Sequence, residues 1–289
     1  MKDFRFYIVL CLVCFWQAGR IPCLAQRWEY LQSDSIMVET FLRDGCQNGS
    51  SSAEVFLSIA RRLKGIPYVA HTLDRTDDER MVVNLRGLDC TTFIETAMAM
   101  TLCVKEGRKR FVDYVEKLRL IRYRQGIHAY ENRLHYWQWW VEDNERMGFV
   151  KQIDDPNPPF TAVQTLKINY MSLHFLSYDM LRNHPERVAA LKTIEDATNG
   201  KRVRYIPKES IANTKLMRET IHDGDIIAIV TQKKNLDTTH LGIAVWHKDG
   251  LHLLNASQIH KKVVEEPMTL YAYMQKHPSQ IGIRIARML

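Results

Sequence analysis

The run from Cys90 to Val104 constrains this chain more than any other stretch. Phe93, Ala97, Met100 and Val104 form one apolar stripe at helical spacing, and Ile94, Met98 and Leu102 form a second beside it. A helix that is apolar on two adjacent faces belongs at the centre of a domain, where it is covered from both sides. Upstream, Ala53 to Leu63 reads as an amphipathic helix, with Val55, Ile59 and Leu63 spaced four apart, that stops at Gly65-Ile66-Pro67. In the C-terminal third the pattern changes to short strands, Asp225–Thr231, Leu241–Trp246, Leu251–Asn255 and Ile281–Ile285. Lys248-Asp249-Gly250 marks a hairpin between the second and third, so the sheet is mainly antiparallel there. Helices first and a meander afterwards give the α+β class.

Two further segments frame this core. Residues 1–25 carry Lys2 and Arg5, an apolar run from Phe6 to Trp16, and the small-residue ending Cys23-Leu24-Ala25. That pattern predicts a secretory signal peptide cut after Ala25, because the run is too short for the roughly 20 residues of a membrane span. An exported, periplasmic or secreted protein without stable membrane insertion is therefore expected, with 26–289 as a single domain. Between Glu106 and His222 lies a stretch rich in aromatic and basic residues, containing Tyr136-Trp137-Gln138-Trp139-Trp140; it reads as an insertion, 106–222, that shapes a pocket.

The removed segment holds three positive charges and one negative, so the formal charge of +7 falls to +5. No Lys/Arg run is interleaved with aromatics, which argues against a nucleic-acid surface. Maturation also leaves three cysteines, Cys46, Cys90 and Cys103. An odd thiol in an oxidising compartment is a flag for reactivity; Cys46 and Cys103 either pair or stay apart, with Cys103 on an apolar stretch that suits a plain buried thiol.

Cys90 has the stronger claim to chemistry. A thiol in the first turn of a helix sits at the positive end of the macrodipole, which lowers its pKa, and free amides there can hold an oxyanion. Asp89 can cap that helix. The bland alternative is an inert cysteine that happens to start a helix. A nucleophilic thiol needs a base, and the base needs an orienter. His240, at the mouth of a strand, fits the first role, and Asn255, at the end of the adjoining strand, fits the second. Alternation places Leu251, Leu253 and Asn255 on one face and His252 and Leu254 on the other.

These residues, read in order, resemble a known superfamily. Gly65-Ile-Pro-Tyr68, Asp89-Cys90-Thr91, Gly224-Asp225, His240-Leu-Gly-Ile-Ala and Asn255-Ala256-Ser257 are similar to the motifs of the NlpC-type bacterial cell-wall cysteine peptidases and amidases. Within that superfamily, Arg133-Leu134-His135-Tyr136 and Leu236-Asp237-Thr238-Thr239-His240 resemble the N-acetylmuramoyl-L-alanine amidase-like family, once listed as a domain of unknown function. The resemblance implies a circularly permuted papain-like fold, a central antiparallel sheet or partial barrel packed on the Cys90 helix. It implies Cys90 as nucleophile, His240 as base, Asn255 in the third polar position and Tyr68 on the cleft wall. Two departures stand out: the usual Asp-Cys-Ser-Gly is here Asp89-Cys90-Thr91-Thr92, and Asn255 stands where many members have His.

The expected reaction is hydrolysis of the amide between the lactyl carboxyl of N-acetylmuramic acid and L-alanine in peptidoglycan fragments (muropeptides). The alternatives are a stem-peptide endopeptidase acting between D-glutamate and the diamino acid, or a non-catalytic module binding wall glycan. Arg86 and Arg133 either meet a substrate carboxylate or form salt bridges; His135 either donates to a substrate oxygen or is a satisfied, partly buried ring. Tyr136 and its neighbouring tryptophans are either a sugar platform or core. No His-x3-His or Cys/His ligand set appears, so neither metal nor cofactor is expected. Oligomeric state is not legible.

Overall fold

The computed structural model describes residues 28–45 and 51–289, so the expected signal peptide and Cys46 lie outside the described residues. The helices are α1 (Gln32–Asp44), α2 (Ser52–Arg62), α3 (Cys90–Lys105), α4 (Phe111–Arg122), α5 (Trp137–Arg146), α6 (Tyr170–Leu173), α7 (Asp179–Arg182), α8 (Pro185–Thr198), α9 (Lys215–Thr220) and α10 (Leu270–Gln275). The strands are β1 (Trp28–Glu29), β2 (Met81–Val82), β3 (Val150–Ile153), β4 (Ala162–Thr165), β5 (Arg202–Pro207), β6 (Ile226–Thr231), β7 (Thr238–Trp246), β8 (Leu251–Ser257), β9 (Lys262–Glu265) and β10 (Gln280–Met288).

β1 and β2 make a small parallel pair, and the other eight strands form one open sheet in the order β4-β5-β10-β6-β7-β8-β9, with β3 also beside β10. Every pairing in that sheet is antiparallel. The fold is α+β as the sequence predicts, and the sheet stays open instead of closing as a barrel.

The apolar helix finds its two covers here. From Thr92 to Thr101 every residue of α3 is buried, with α2 and α4 packed along it and β7 and β8 against it. Ile226, Ala228, Ile243, Val245 and Leu254 belong to the core shared with α3, whereas Ile227, Ile229, Ala244, Leu251 and Leu253 belong to a second core under α9 and α10. The sheet is thus apolar on both faces, which is why its strands read as nearly continuous apolar runs.

The segment 106–222 is woven into this frame. It supplies α4 and α5 to the helical layer and β3, β4 and β5 to the sheet. The junction after it depends on Gly224, whose φ is +88° and whose backbone passes so close to α2 that an added Cβ would lie 2.8 Å from the Ala53 carbonyl oxygen. Only glycine takes that conformation without strain. The following Asp225, fully buried, accepts from Arg287 at 2.7 and 2.8 Å and so ties the start of β6 to β10. Among the described residues, no helix is long and apolar enough to cross a membrane.

Candidate active site

The site begins with the start of α3. Asp89 sits at the N-cap in extended conformation; its carboxylate accepts from the Thr92 amide at 2.8 Å, and the Thr92 hydroxyl accepts from the Asp89 amide at 2.9 Å. This reciprocal capping box fixes where the helix begins. Thr92, one of the departures from the superfamily motif, is the residue that closes it. Cys90 therefore occupies the first helical position, where its own amide has no acceptor inside the helix.

The thiol does not behave as its helix position suggests. Burial first and Asp89 second push the Cys90 pKa up to about 11, while the Leu241 amide and the hydroxyl and amide of Thr91 work the other way. Cys90 keeps partial exposure where it lines the cleft, yet its sulfur lies deep enough for desolvation to outweigh the hydrogen bonds that favour the thiolate. The sequence-based expectation of a lowered thiol pKa is thus reversed. Cys103 is a free thiol, fully buried and likewise pushed up by burial, to about 12.

β7 and β8 supply His240 and Asn255, the residues expected as base and orienter. Gly242 pairs with Asn255 in the register implied by Ile243 facing Leu254, so His240 and Asn255 are diagonal neighbours across the ladder. An added Cβ on Gly242 would lie 2.5 Å from the Leu253 side chain, so that strand crossing also requires glycine. His240 Nε2 lies 2.9 Å from Asn255 Oδ1. Asn255 Nδ2 donates to the Leu253 carbonyl at 3.3 Å and to Glu266 Oε1 at 3.1 Å. With its donors committed to two acceptors, Asn255 presents Oδ1 to the ring, so Nε2 carries the proton and Nδ1 keeps its lone pair. Burial lowers the His240 pKa below its ordinary value, against the opposing pull of Asn255 and Glu266. The ring is therefore a neutral base at neutral pH.

Cys90 and His240 line one cavity of about 190 Å³, together with Thr91, Leu134, His135, Tyr136, Trp137 and Trp140. On the other side of Cys90 a second cavity, of about 310 Å³, is lined by Tyr68, Asp74, Asp89, Glu95, Arg133 and His135. The two share Cys90, Thr91, Leu134 and His135, so the thiol sits on the wall between two halves of one cleft. Larger hollows elsewhere, of about 330 and 500 Å³, hold no cysteine or histidine.

The remaining sequence-predicted residues divide by position. Tyr68 is on the cleft wall, its hydroxyl pushed up to about 12 by burial and by Cys90 and Asp89. Arg133 also lines the cleft, but it is 7% exposed and donates to Asp74 at 2.6 Å and to Glu79 at 2.5 Å. Burial opposes its charge, yet those two carboxylates outweigh burial and raise its pKa. Its guanidinium is a structural clamp beneath the pocket. Arg86 is exposed, pairs with Asp34 at 3.3 Å, and is not among the lining residues; the substrate contact expected of it does not fit its position.

His135 touches both halves of the cleft and an adjoining hollow. Its Nε2 faces the Tyr130 carbonyl at 3.2 Å, and burial together with Arg133 lowers its pKa to about 3. With Nε2–H committed, the neutral ring offers an acceptor, Nδ1, in place of the expected donor. Tyr136 is buried and donates to Glu195 at 2.7 Å, while Trp139 donates to Thr198 at 2.8 Å. The aromatic cluster is core, and Tyr136, Trp137 and Trp140 turn part of their surface to the cleft.

Spacing did not reveal Leu134 and Thr239 on the cleft wall or Glu266 behind Asn255, since no motif marks the residues of β9 or the one after it. Nor did spacing reveal His247, Asp249 and His252, whose ligand-type atoms lie within 4.8 Å of one another on the β7–β8 hairpin. None of the three lines the cleft. His247 there meets Glu265 at 2.5 Å.

Comparison with known proteins agrees with the amidase-like family read from the motifs. The AmiA-like family, described as N-acetylmuramoyl-L-alanine amidase-like, matches residues 58–283. A solved N-acetylmuramoyl-L-alanine amidase from Bacteroides uniformis is 36% identical, with a TM-score of 0.77 over 83% of this chain and all of that one. A Bacteroides fragilis structure, provisionally named a xylanase, is 39% identical, with a TM-score of 0.74 over 80% of this chain and all of that one. A Legionella pneumophila protein shares the fold at 22% identity, with a TM-score of 0.68 over 89% of this chain and 95% of that one. No curated protein matches the chain.

Proposed function

The chain belongs to the N-acetylmuramoyl-L-alanine amidase-like family, and from that premise we propose that it is a cysteine amidase cutting the bond between the lactyl carboxyl of N-acetylmuramic acid and L-alanine in peptidoglycan fragments. The observation that carries the reading is the pairing of a half-buried thiol and a neutral imidazole on one cavity wall, with that imidazole held by Asn255 at 2.9 Å. Nucleophile, base and orienter are the three parts acyl transfer requires. The same set supports placing the fold among the circularly permuted papain-like, NlpC-type enzymes.

The mechanism follows from the protonation states. His240 Nδ1 takes the Cys90 proton as the sulfur attacks the lactyl carbonyl carbon. The Cys90 amide, unpaired within the helix, donates to the oxyanion. The imidazolium then protonates the alanine nitrogen, the C–N bond breaks, and the peptide leaves. Water, activated by the same ring, hydrolyses the muramoyl thioester and restores the thiol. A thiol raised to about 11 needs this base at the moment of attack, because little free thiolate stands ready at neutral pH.

The glycosidase alternative suggested by the name of the B. fragilis protein finds less support. Glycoside hydrolysis needs two free carboxyl groups facing one bond. Here Asp89 caps α3, Asp74 is held by Arg133, and Glu95 is held by Arg122 at 2.7 Å.

Purified protein incubated with defined muropeptides and read by mass spectrometry tests the proposal. The expected products are the intact sugar and the intact stem peptide, both absent with Cys90→Ala. Cuts confined to the stem peptide, or release of xylan fragments, would sink the reading. We also propose export directed by residues 1–25, for which cell fractionation is the check.

A further inference from the structure

Behind the His240–Asn255 pair stands a carboxylate that the mechanism above does not use. Glu266 follows β9 directly and is 2% exposed. Its Oε1 accepts from Asn255 Nδ2 at 3.1 Å and its Oε2 faces His260 Nε2 at 3.0 Å. Its amide donates to the Leu253 carbonyl at 2.9 Å, and its own carbonyl faces His252 Nδ1 at 2.8 Å. Every polar group of this buried residue is engaged, and one engagement leads to the base.

The consequence concerns which way Asn255 points. An amide can turn over, and the flipped form would aim Nδ2 at His240. The ring would then accept at Nε2 and carry its proton on Nδ1, the nitrogen that must receive the thiol proton. A carboxylate accepts only, so facing Glu266 with Oδ1 would set two acceptors against each other. The second effect is charge. Glu266 raises the His240 pKa against burial, as Asp89 does from the start of α3, while His277 after α10 lowers it. Tyr273 of α10 stacks near the ring at 6.5 Å, also under the influence of Glu266 and Cys90.

We infer that Glu266 is a positioning residue for His240: it locks Asn255 with Oδ1 toward the ring, and its charge steadies the imidazolium formed as the thiol gives up its proton. The inference rests on the reading of Cys90 and His240 as nucleophile and base.

The test is Glu266→Gln in the full chain, which keeps size and loses the charge and the acceptor-only character. Three readouts are compared with wild type: muropeptide hydrolysis, the pH profile of Cys90 alkylation by iodoacetamide, and melting temperature. Hydrolysis should fall in kcat, about tenfold or more, with KM nearly unchanged. The acid limb of both hydrolysis and alkylation should move to lower pH by about half a unit or more, because the imidazolium loses a stabilising charge. If Glu266→Gln does not fold, His260→Ala replaces it. That change opens Oε2 to solvent and should move the limb the same way by less.

A drop in activity with an unmoved acid limb, or no change in either, overturns the inference and leaves Glu266 a structural residue. If wild type cuts no muropeptide, the proposed substrate fails. Alkylation then still decides the role of Glu266, since that readout needs no substrate.

Discussion

At Cys90 two opposing effects meet on one sulfur. The Leu241 amide and the hydroxyl and amide of Thr91 favour thiolate, but burial and the neighbouring Asp89 favour thiol, and burial with Asp89 wins. Burial likewise holds His240 below the ordinary histidine value of 6.5. The resting pair is therefore thiol and neutral imidazole, and the pH dependence follows from its limits. The ring becomes protonated, and unable to act as base, only below pH 6.5, so the acid limb of kcat/KM should lie under that value. On the alkaline side the plateau should run toward the thiol range near 11. Stopped assays across pH 4–11 check this; an acid limb at pH 7 or above contradicts it. That Cys90 starts a helix was legible in the sequence, but its raised pKa was not, because desolvation depends on surroundings that only the folded chain assembles.

At the scale of elements, the start of α3 links stability to reactivity. Asp89 caps the helix through Thr92 and also raises the pKa of the thiol beside it. Asp89→Ala should therefore have two effects of opposite value. Loss of the cap should cost about 1 kcal/mol in urea unfolding, while Cys90 alkylation at pH 7 should accelerate, about threefold or more. Slower alkylation would mean that Asp89 serves the thiolate instead. The capping residue was legible from Asp89 alone; the reciprocal partner Thr92 sits at the position where the superfamily motif has Gly. The hairpin at Lys248-Asp249-Gly250 similarly announced that β7 and β8 pair, and that pairing alone places Asn255 beside His240. Glu266, directly after β9, joins the same line, and no local pattern marks that contribution.

At the scale of the whole molecule, two places show how distant segments are held. Gly224 brings the start of β6 against α2 with φ at +88°, and a methyl group there would meet the Ala53 carbonyl at 2.8 Å. Gly224→Ala should destabilise the chain by about 1–3 kcal/mol through strain and close contact together, measurable by urea unfolding; a change under about 0.5 kcal/mol would remove the explanation. His135, fixed between the Arg133 clamp and the cleft, titrates near 3 in the folded chain against an ordinary 6.5. Between those values the unfolded chain binds more protons, so stability is complete above pH 6.5 and declines as pH falls toward 3. The slope approaches about 1.4 kcal/mol per pH unit for one full proton. His135→Gln, which keeps a donor for the Tyr130 carbonyl, should flatten that decline in melting temperature. An unchanged slope would assign the acid loss to other groups.

What the sequence by itself determined was whatever repeats at short range: the doubly apolar α3, the amphipathic α2, the strands β6, β7, β8 and β10, and through them the α+β class and the β7–β8 pairing that brings His240 beside Asn255. Helix and strand periods are local, and a hairpin fixes its own partner, so these needed no knowledge of the fold. Tertiary structure alone decided three things. It made residues 106–222 part of the sheet and helical core, it turned Arg133 into a clamp and left Arg86 outside the cleft, and it set Glu266 behind Asn255. Each of these depends on contacts between residues far apart in the chain, whose burial and charge no local spacing records.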